Sequence, residues 1–296
     1  MSKHSTLPQI CIIFVILSSC ITERSNYMKD KRVLYVSSEV VPYLPETEIS
    51  SMSFEAPRMV NKAGGQIRIF MPRYGNINER RHQLHEVIRL SGINLVINDL
   101  DMPLIIKVAS IPKERIQVYF IDNEEYFKRK ATFLNDSGQL FGDNDERAIF
   151  FAKGVVETVK KLNWSPDIIH VHGWLAGLLP LYLKTLYKDE PLFSESKIVT
   201  SIYHKGFEGS LNTEMLKKIQ FDGIDDDATK HLQTPDYNAL SLTAIAHSDA
   251  IIKGSEKLPK LIDEACENSG KPCLPFHPID NFADAYITFY QTQVLN

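Results

Sequence analysis

From Lys31 onward the chain reads as an α/β protein with a doubly wound, mostly parallel Rossmann-like sheet and helices on both faces. Apolar runs of strand length alternate with helical stretches, and several of those runs close on histidine, proline or glycine. In such a sheet ligands sit at the carboxyl ends of the strands, so the strand ends are where function is to be sought.

The elements follow in order. "RVLYVSSE" is a buried strand, and "SFEAPRMVNKAGG" is a helix stopped by Gly64 and Gly65. "QIRIFMPRYG" is the second strand, closing on Pro72 and Gly75. "HEVIRLSGINLVIN", "PLIIKVASI" and "IQVYFIDN" are β-rich runs close together, a small antiparallel excursion before the main sheet resumes. Residues 145–162 put Ile149, Ala152, Val156 and Val159 on one helical face, with Asp143 or Asn144 near the N-cap. Next come the strand "PDIIHVHG", the helix "WLAGLLPLYLKTLY", the strand "KIVTSIYH" and the helix "YNALSLTAIAHS". "DAIIKGSE" is a short strand before a last helical pair. There is no internal repeat or long linker, which predicts one domain over residues 28–296.

Composition narrows the function. The chain has 296 residues, 44% apolar and 24% charged, which is ordinary globular usage. With 33 basic against 37 acidic residues and a formal charge of -4, it lacks the electrostatic footprint of a nucleic-acid or anionic-membrane binder. Cys11, Cys20, Cys266 and Cys273 form no CxxC pair and have no zinc-finger spacing to histidine. Cys266 and Cys273 read as two ordinary thiols, able to pair only in an oxidising compartment.

Residues 1–27 read as a leader outside the fold. Lys3 and His4 precede "ICIIFVILSSC", too short for a mature transmembrane helix but suited to a signal-peptide core. Two readings stand. "LSSC" resembles a lipobox that would lipidate Cys20, whereas "MKDKRVLYVSSEV" from Met28 is how many cytoplasmic α/β proteins start.

The strand ends carry the chemistry. His170 and His172 are two apart on a strand and share a face, and Gly173 and Trp174 turn the chain into a helix. The pair admits three readings: part of a metal site, structural histidines, or a polar sugar pocket with Trp174 as a stacking ring. "GDNDERAIFF" puts carboxylates at a helix start, which capping explains by itself. His204 ends a strand before Gly206 and Gly209, where it could bond a substrate or move a proton. Ser210 has no nucleophile-elbow motif, and Asp225, Asp226 and Asp227 read as a solvated loop.

Taken together and in order, "KRVLYVSSEVVPY", "IRIFMPRYGNI", "VYFIDNEEYF", "DNDERAIFFAKGVVE" and "PDIIHVHGWLAGLLPLYLK" resemble the N-terminal domain of bacterial starch and glycogen synthases. These are glycosyltransferases of family five with GT-B architecture. The resemblance runs from about Arg32 to Ser255. It implies retaining transfer of glucose from ADP-glucose to an α-1,4-glucan or maltooligosaccharide, in a cleft between two Rossmann-like domains, with no metal or other cofactor. By motif position it makes His204 the catalytic strand-end histidine near the transferred glucose. It assigns Glu39, Asp143, Asn144, Arg147, His172 and Trp174 to substrate binding.

Two departures stand out. The family's Lys-Thr-Gly-Gly-Leu loop aligns here with Pro45-Glu46-Thr47-Glu48-Ile49, so two carboxylates replace a lysine and a close-approach backbone. Like charge facing a diphosphate costs several kcal/mol, so this loop is expected not to grip a nucleotide sugar as the family does. The family's second, nucleotide-gripping domain is also expected to come from elsewhere, as a separate C-terminal-type synthase domain. The alternative is a catalytically inactive descendant that keeps glucan binding or regulation. Gly173 stands where the family often has aspartate.

Overall fold

The computed structural model describes residues 28–112 and 114–296. The leader, with both readings of Cys20, lies outside the described residues.

Among the described residues ten strands form one sheet, β1 (Arg32–Ser37), β2 (Gln66–Pro72), β3 (His85–Glu86), β4 (Ile93–Ile97), β5 (Leu100–Ile111), β6 (Ile116–Asp122), β7 (Ile168–His172), β8 (Lys197–Ile202), β9 (Ala250–Lys253) and β10 (Cys273–Leu274). The sheet order is β10-β9-β8-β7-β1-β2-β6-β5-β3, with β4 paired to β5. From β10 to β6 every neighbour is parallel, whereas β3, β4 and β6 each pair antiparallel with β5. This is the mostly parallel α/β sheet with the antiparallel excursion expected. The five parallel strands from β2 to β9 lack strict alternation because both faces are covered; β7 is buried at every position.

The principal helices are α1 (Glu48–Lys62), α2 (Asn144–Leu162), α3 (Leu179–Lys184), α4 (Met215–Phe221), α5 (Tyr237–His247), α6 (Lys260–Asn268) and α7 (Ala283–Phe289). A π-helical turn, Tyr290–Val294, extends α7. Tyr286, Phe289, Tyr290 and Val294 of this segment join the main core. Burying side chains of this size contributes roughly 1.5–3 kcal/mol each, so the segment is held firmly.

Two elements differ from expectation. Helix α1 begins at Glu48, well before the expected "SFEAPRMVNKAGG". Thr47 caps it: its Oγ1 accepts from the Ser50 N–H at 3.0 Å, and Ser50 Oγ accepts from the Thr47 N–H at 2.8 Å. That reciprocal pair starts the helix without a glutamate at the third position, the usual sequence cue. The expected helix over 174–187 is a 3₁₀ turn, Trp174–Ala176, followed by the shorter α3.

Candidate functional site at the carboxyl edge of the sheet

The chain leaves β1 for β2 on one side and later returns to place β7 on the other, which makes the β1/β7 crevice the switch point where such sheets bind ligands. Ser37, His172 and Ser201 form one register row there, closing β1, β7 and the end of β8. The Ser38 N–H donates to the His172 carbonyl at 2.9 Å, and Ser38 Oγ accepts from the Leu175 N–H at 3.1 Å. Gly173 makes this close approach possible. Its φ is +79°, and a Cβ there would lie 2.5 Å from Ser38 Oγ. A side chain at this position would meet that hydroxyl.

His170 and His172 are fully buried, with ring centroids 4.0 Å apart. His170 bonds Tyr290 OH through Nδ1 at 2.6 Å and Ser201 Oγ through Nε2 at 2.8 Å. His172 Nδ1 bonds Tyr203 OH at 2.7 Å, and its Nε2 has no partner. Burial pulls His172 down to about 3. His170 is also driven well below its ordinary value, by burial and by His172 beside it. Both rings are therefore neutral at pH 7 and form part of the interior, with partners that the metal reading would need displaced.

The open space lies farther along the same edge. A groove of about 910 Å³ is lined on one side by Phe133, Leu134 and Leu140, and on the other by His204, Phe207 and Tyr237. His204 is exposed. Its N–H donates to Ser255 Oγ at 3.0 Å, and its Nδ1 lies 3.1 Å from the Lys257 carbonyl. A carbonyl only accepts, so Nδ1 carries the hydrogen and Nε2 of the neutral ring is left as an acceptor.

Trp174 stands one layer behind this groove. It is 5% exposed, with Phe133 and Phe207 each 4.8 Å away between ring centroids. The stacking surfaces offered to a ligand are the half-buried Phe133, Phe207 and Tyr237, and His172 and Trp174 support them from within. A flat apolar ring at the start of a buried helix is covered by neighbours brought from distant loops, which local sequence does not announce.

The Asp143, Asn144 and Arg147 group lies behind the Phe133 side of the groove. Asn144 Nδ2 donates to the Phe133 carbonyl at 2.9 Å, and its Oδ1 accepts from Arg147 Nη1 at 2.5 Å. Arg147 is fully buried, its guanidinium 5.1 Å from the Phe127 centroid and 5.6 Å from that of Tyr74. Burial lowers it to about 10, so it stays charged at neutral pH. Asp143 sits at the N-cap position of α2 but makes no cap bond; it takes two hydrogen bonds from Arg129, at 2.9 and 2.5 Å. The carboxylates of Asp145 and Glu146 take Lys218 of α4, each at 2.7 Å. Capping alone does not account for this cluster: it pins the loop over residues 128–142 against α2.

The segment after β1 is also tied down. Glu39 accepts from Thr47 Oγ1 at 2.8 Å, and burial raises its carboxyl above the ordinary value, partly offset by that bond. Glu48 Oε2 accepts from Ser255 Oγ at 2.7 Å. Ser255 thus joins the first turn of α1 to the backbone of His204. Sequence reasoning missed Ser255, Phe133, Phe207 and Tyr237; only the strand-end position of "DAIIKGSE" pointed toward the first of them. Among the described residues no group of three or more His, Cys, Asp or Glu is placed to hold a metal ion, and no helix is long and apolar enough to cross a membrane.

The fold and this edge define a Rossmann-like half of GT-B architecture. It is similar to the solved catalytic domain of starch synthase IV from Arabidopsis thaliana, bound to ADP and acarbose, with a TM-score of 0.63, 16% identity, and coverage of 76% of this chain and 45% of that one. The family described as the starch synthase catalytic domain matches residues 32–268, and the chain belongs to it. Glycogen synthase from Chlorobium limicola is 42% identical over 190 residues, 64% of this chain and 39% of that protein. Glycogen synthase from Chlorobaculum parvum is 36% identical over 253 residues, 83% of this chain and 49% of its own length. The chain spans about half the length, or less, of these relatives.

Proposed function

We propose that residues 28–296 form the acceptor-side unit of a starch or glycogen synthase, and that the groove beside His204 receives the end of an α-1,4-glucan. The activity it serves is transfer of glucose from ADP-glucose to that glucan. The observation that carries the reading is the groove itself, whose aromatic walls stand beside one exposed histidine with a free ring nitrogen. Sugars present apolar faces and hydroxyl edges, and such a surface meets both. Nε2 of His204 hydrogen-bonds a sugar hydroxyl while the Lys257 carbonyl holds the ring in place through Nδ1. Asp143, Asn144 and Arg147 keep Phe133 in position, and Glu39, His172 and Trp174 hold the framework behind.

A second reading, glucan binding without transfer, has one observation in its favour. The first turn of α1, which occupies the place of the family's glycine loop, is capped by its own Thr47 and Ser50, and Glu46 and Glu48 bring negative charge to it. A diphosphate would find those donors engaged and carboxylates nearby. On the first reading the nucleotide is held by a C-terminal-type synthase domain, and the protein works in the cytoplasm.

Labelled ADP-glucose and a maltooligosaccharide primer, with and without a synthase nucleotide-binding domain, test the proposal. Incorporation supports acceptor-side participation in transfer. Glucan binding with no incorporation under either condition selects the second reading, and absence of both overturns the proposal.

A further inference from the structure

A second cluster lies away from this groove, at the β10 edge of the sheet. Cys266 closes the last turn of α6, is 1% exposed, and packs with Ile202, Ile245, Ile251 and Ile262. The turn that follows uses Gly270 at a φ of +69°, and Ser269 Oγ bonds back to the Cys266 carbonyl at 2.8 Å. This tight return places Cys273, half-buried, in β10 opposite Ile251 of β9. Cys273 packs against the same small apolar cluster that holds Cys266, and each thiol is the other's strongest electrostatic neighbour. Lys253 stands close by on β9, its Nζ 2.6 Å from Asp263 and 3.2 Å from Glu267.

We propose that Cys266 and Cys273 form a redox-active dithiol that a peroxide oxidises to an intramolecular disulfide, clipping the end of α6 to β10. The pair differs from ordinary thiols in the division of labour between its members. Cys273 is the reachable sulfur, and the neighbouring donor Cys266, helped by Lys253, holds it below the usual thiol value against burial, Asp263 and Glu267. Cys266 is the buried partner, raised by the same pairing and by desolvation. The thiolate is the nucleophile in such chemistry.

The step balances. The Cys273 thiolate attacks one peroxide oxygen, the O–O bond breaks, and hydroxide leaves, giving a sulfenic acid at Cys273. The sulfur of Cys266 then displaces the sulfenic hydroxyl, losing its proton and forming the S–S bond with release of water. Overall two thiols are oxidised and hydrogen peroxide is reduced to two waters. In a reducing compartment such a bond would be transient, as cytosolic redox disulfides are. β9 runs directly from this pair to Ser255, so the clip would act on the strand that carries the bridge to His204.

The test uses the full chain, reduced, desalted and exposed to hydrogen peroxide at pH 7 before blocking with iodoacetamide. Lys271 precedes Pro272, so trypsin leaves both cysteines on one peptide. The expected product is that peptide unlabelled and lighter by two hydrogens, regaining both labels after reduction. Cys266→Ala, which removes the neighbouring donor, should slow alkylation of Cys273 at pH 7 by roughly threefold, since a higher thiol pKa loses thiolate faster than it gains nucleophilicity. Two labelled cysteines after peroxide, a Cys273 sulfinate beside a labelled Cys266, a disulfide formed only in urea, or equal alkylation rates with and without Cys266 would each overturn the proposal.

Discussion

Acidification offers a quantitative test of the interior His170/His172 pair. Both histidines are fully buried and neutral in the folded protein, His172 with a pKa of about 3. In the unfolded chain each returns to an ordinary value of about 6.5. Their contribution to stability is therefore complete above that value and is lost as the pH falls toward 3, because the unfolded state takes up protons that the folded state refuses. Between pH 7 and pH 5 the His172 shift costs about 2 kcal/mol, and His170 adds to the loss in the same direction. Urea unfolding at the two pH values measures the loss. His172→Gln serves as the control, since its amide can still reach Tyr203 but does not titrate. Its pH-dependent loss should be smaller than that of the wild type by about 2 kcal/mol. Equal pH dependence in the two proteins would refute the neutral, buried assignment of His172.

Other consequences concern the strand ends and the groove. Gly173→Ala should destabilise the fold by about 1–3 kcal/mol, because a side chain is forced into a left-handed φ and against Ser38; an unchanged urea midpoint would count against that strain. Asn144→Ala takes from the buried Arg147 guanidinium the acceptor of its Nη1 and leaves the Phe133 carbonyl held by the Phe141 N–H without the Asn144 amide. It should cost about 1–3 kcal/mol and speed amide exchange over residues 128–142, with unaltered exchange refuting the clamp. Thr47→Ala removes the cap of α1 and the bond to Glu39, so unfolding should become easier by about 1 kcal/mol in the same urea assay.

The parallel strands were legible because burial on both faces demands continuous apolar runs, and "RVLYVS", "IIHVH" and "KIVTSI" have no other easy reading. The start of α1 was not, since Pro45 and two glutamates suggest a loop, while the Thr47/Ser50 cap lacks the usual partner residue. At the site, His204 could be picked out from its strand end alone. Depth could not: His170 takes its bond from Tyr290, 120 residues away, and His172 from Tyr203, 31 residues away. Trp174 was visible as a large ring at a strand end, but Phe133 and Phe207, which cover it, reach it from separate loops. The same limit hid Ser255, whose meaning lies in joining Glu48 and His204 across the edge.

The central claim is that the groove beside His204 holds an α-1,4-glucan through the half-buried aromatic rings that line it. Calorimetric titration of maltoheptaose into the wild type and Phe207→Ala tests it most directly. The account predicts saturable binding to the wild type and roughly fivefold weaker binding to the variant, the loss of about one aromatic contact. Absence of binding to the folded wild type, or equal affinity in both proteins, would contradict it.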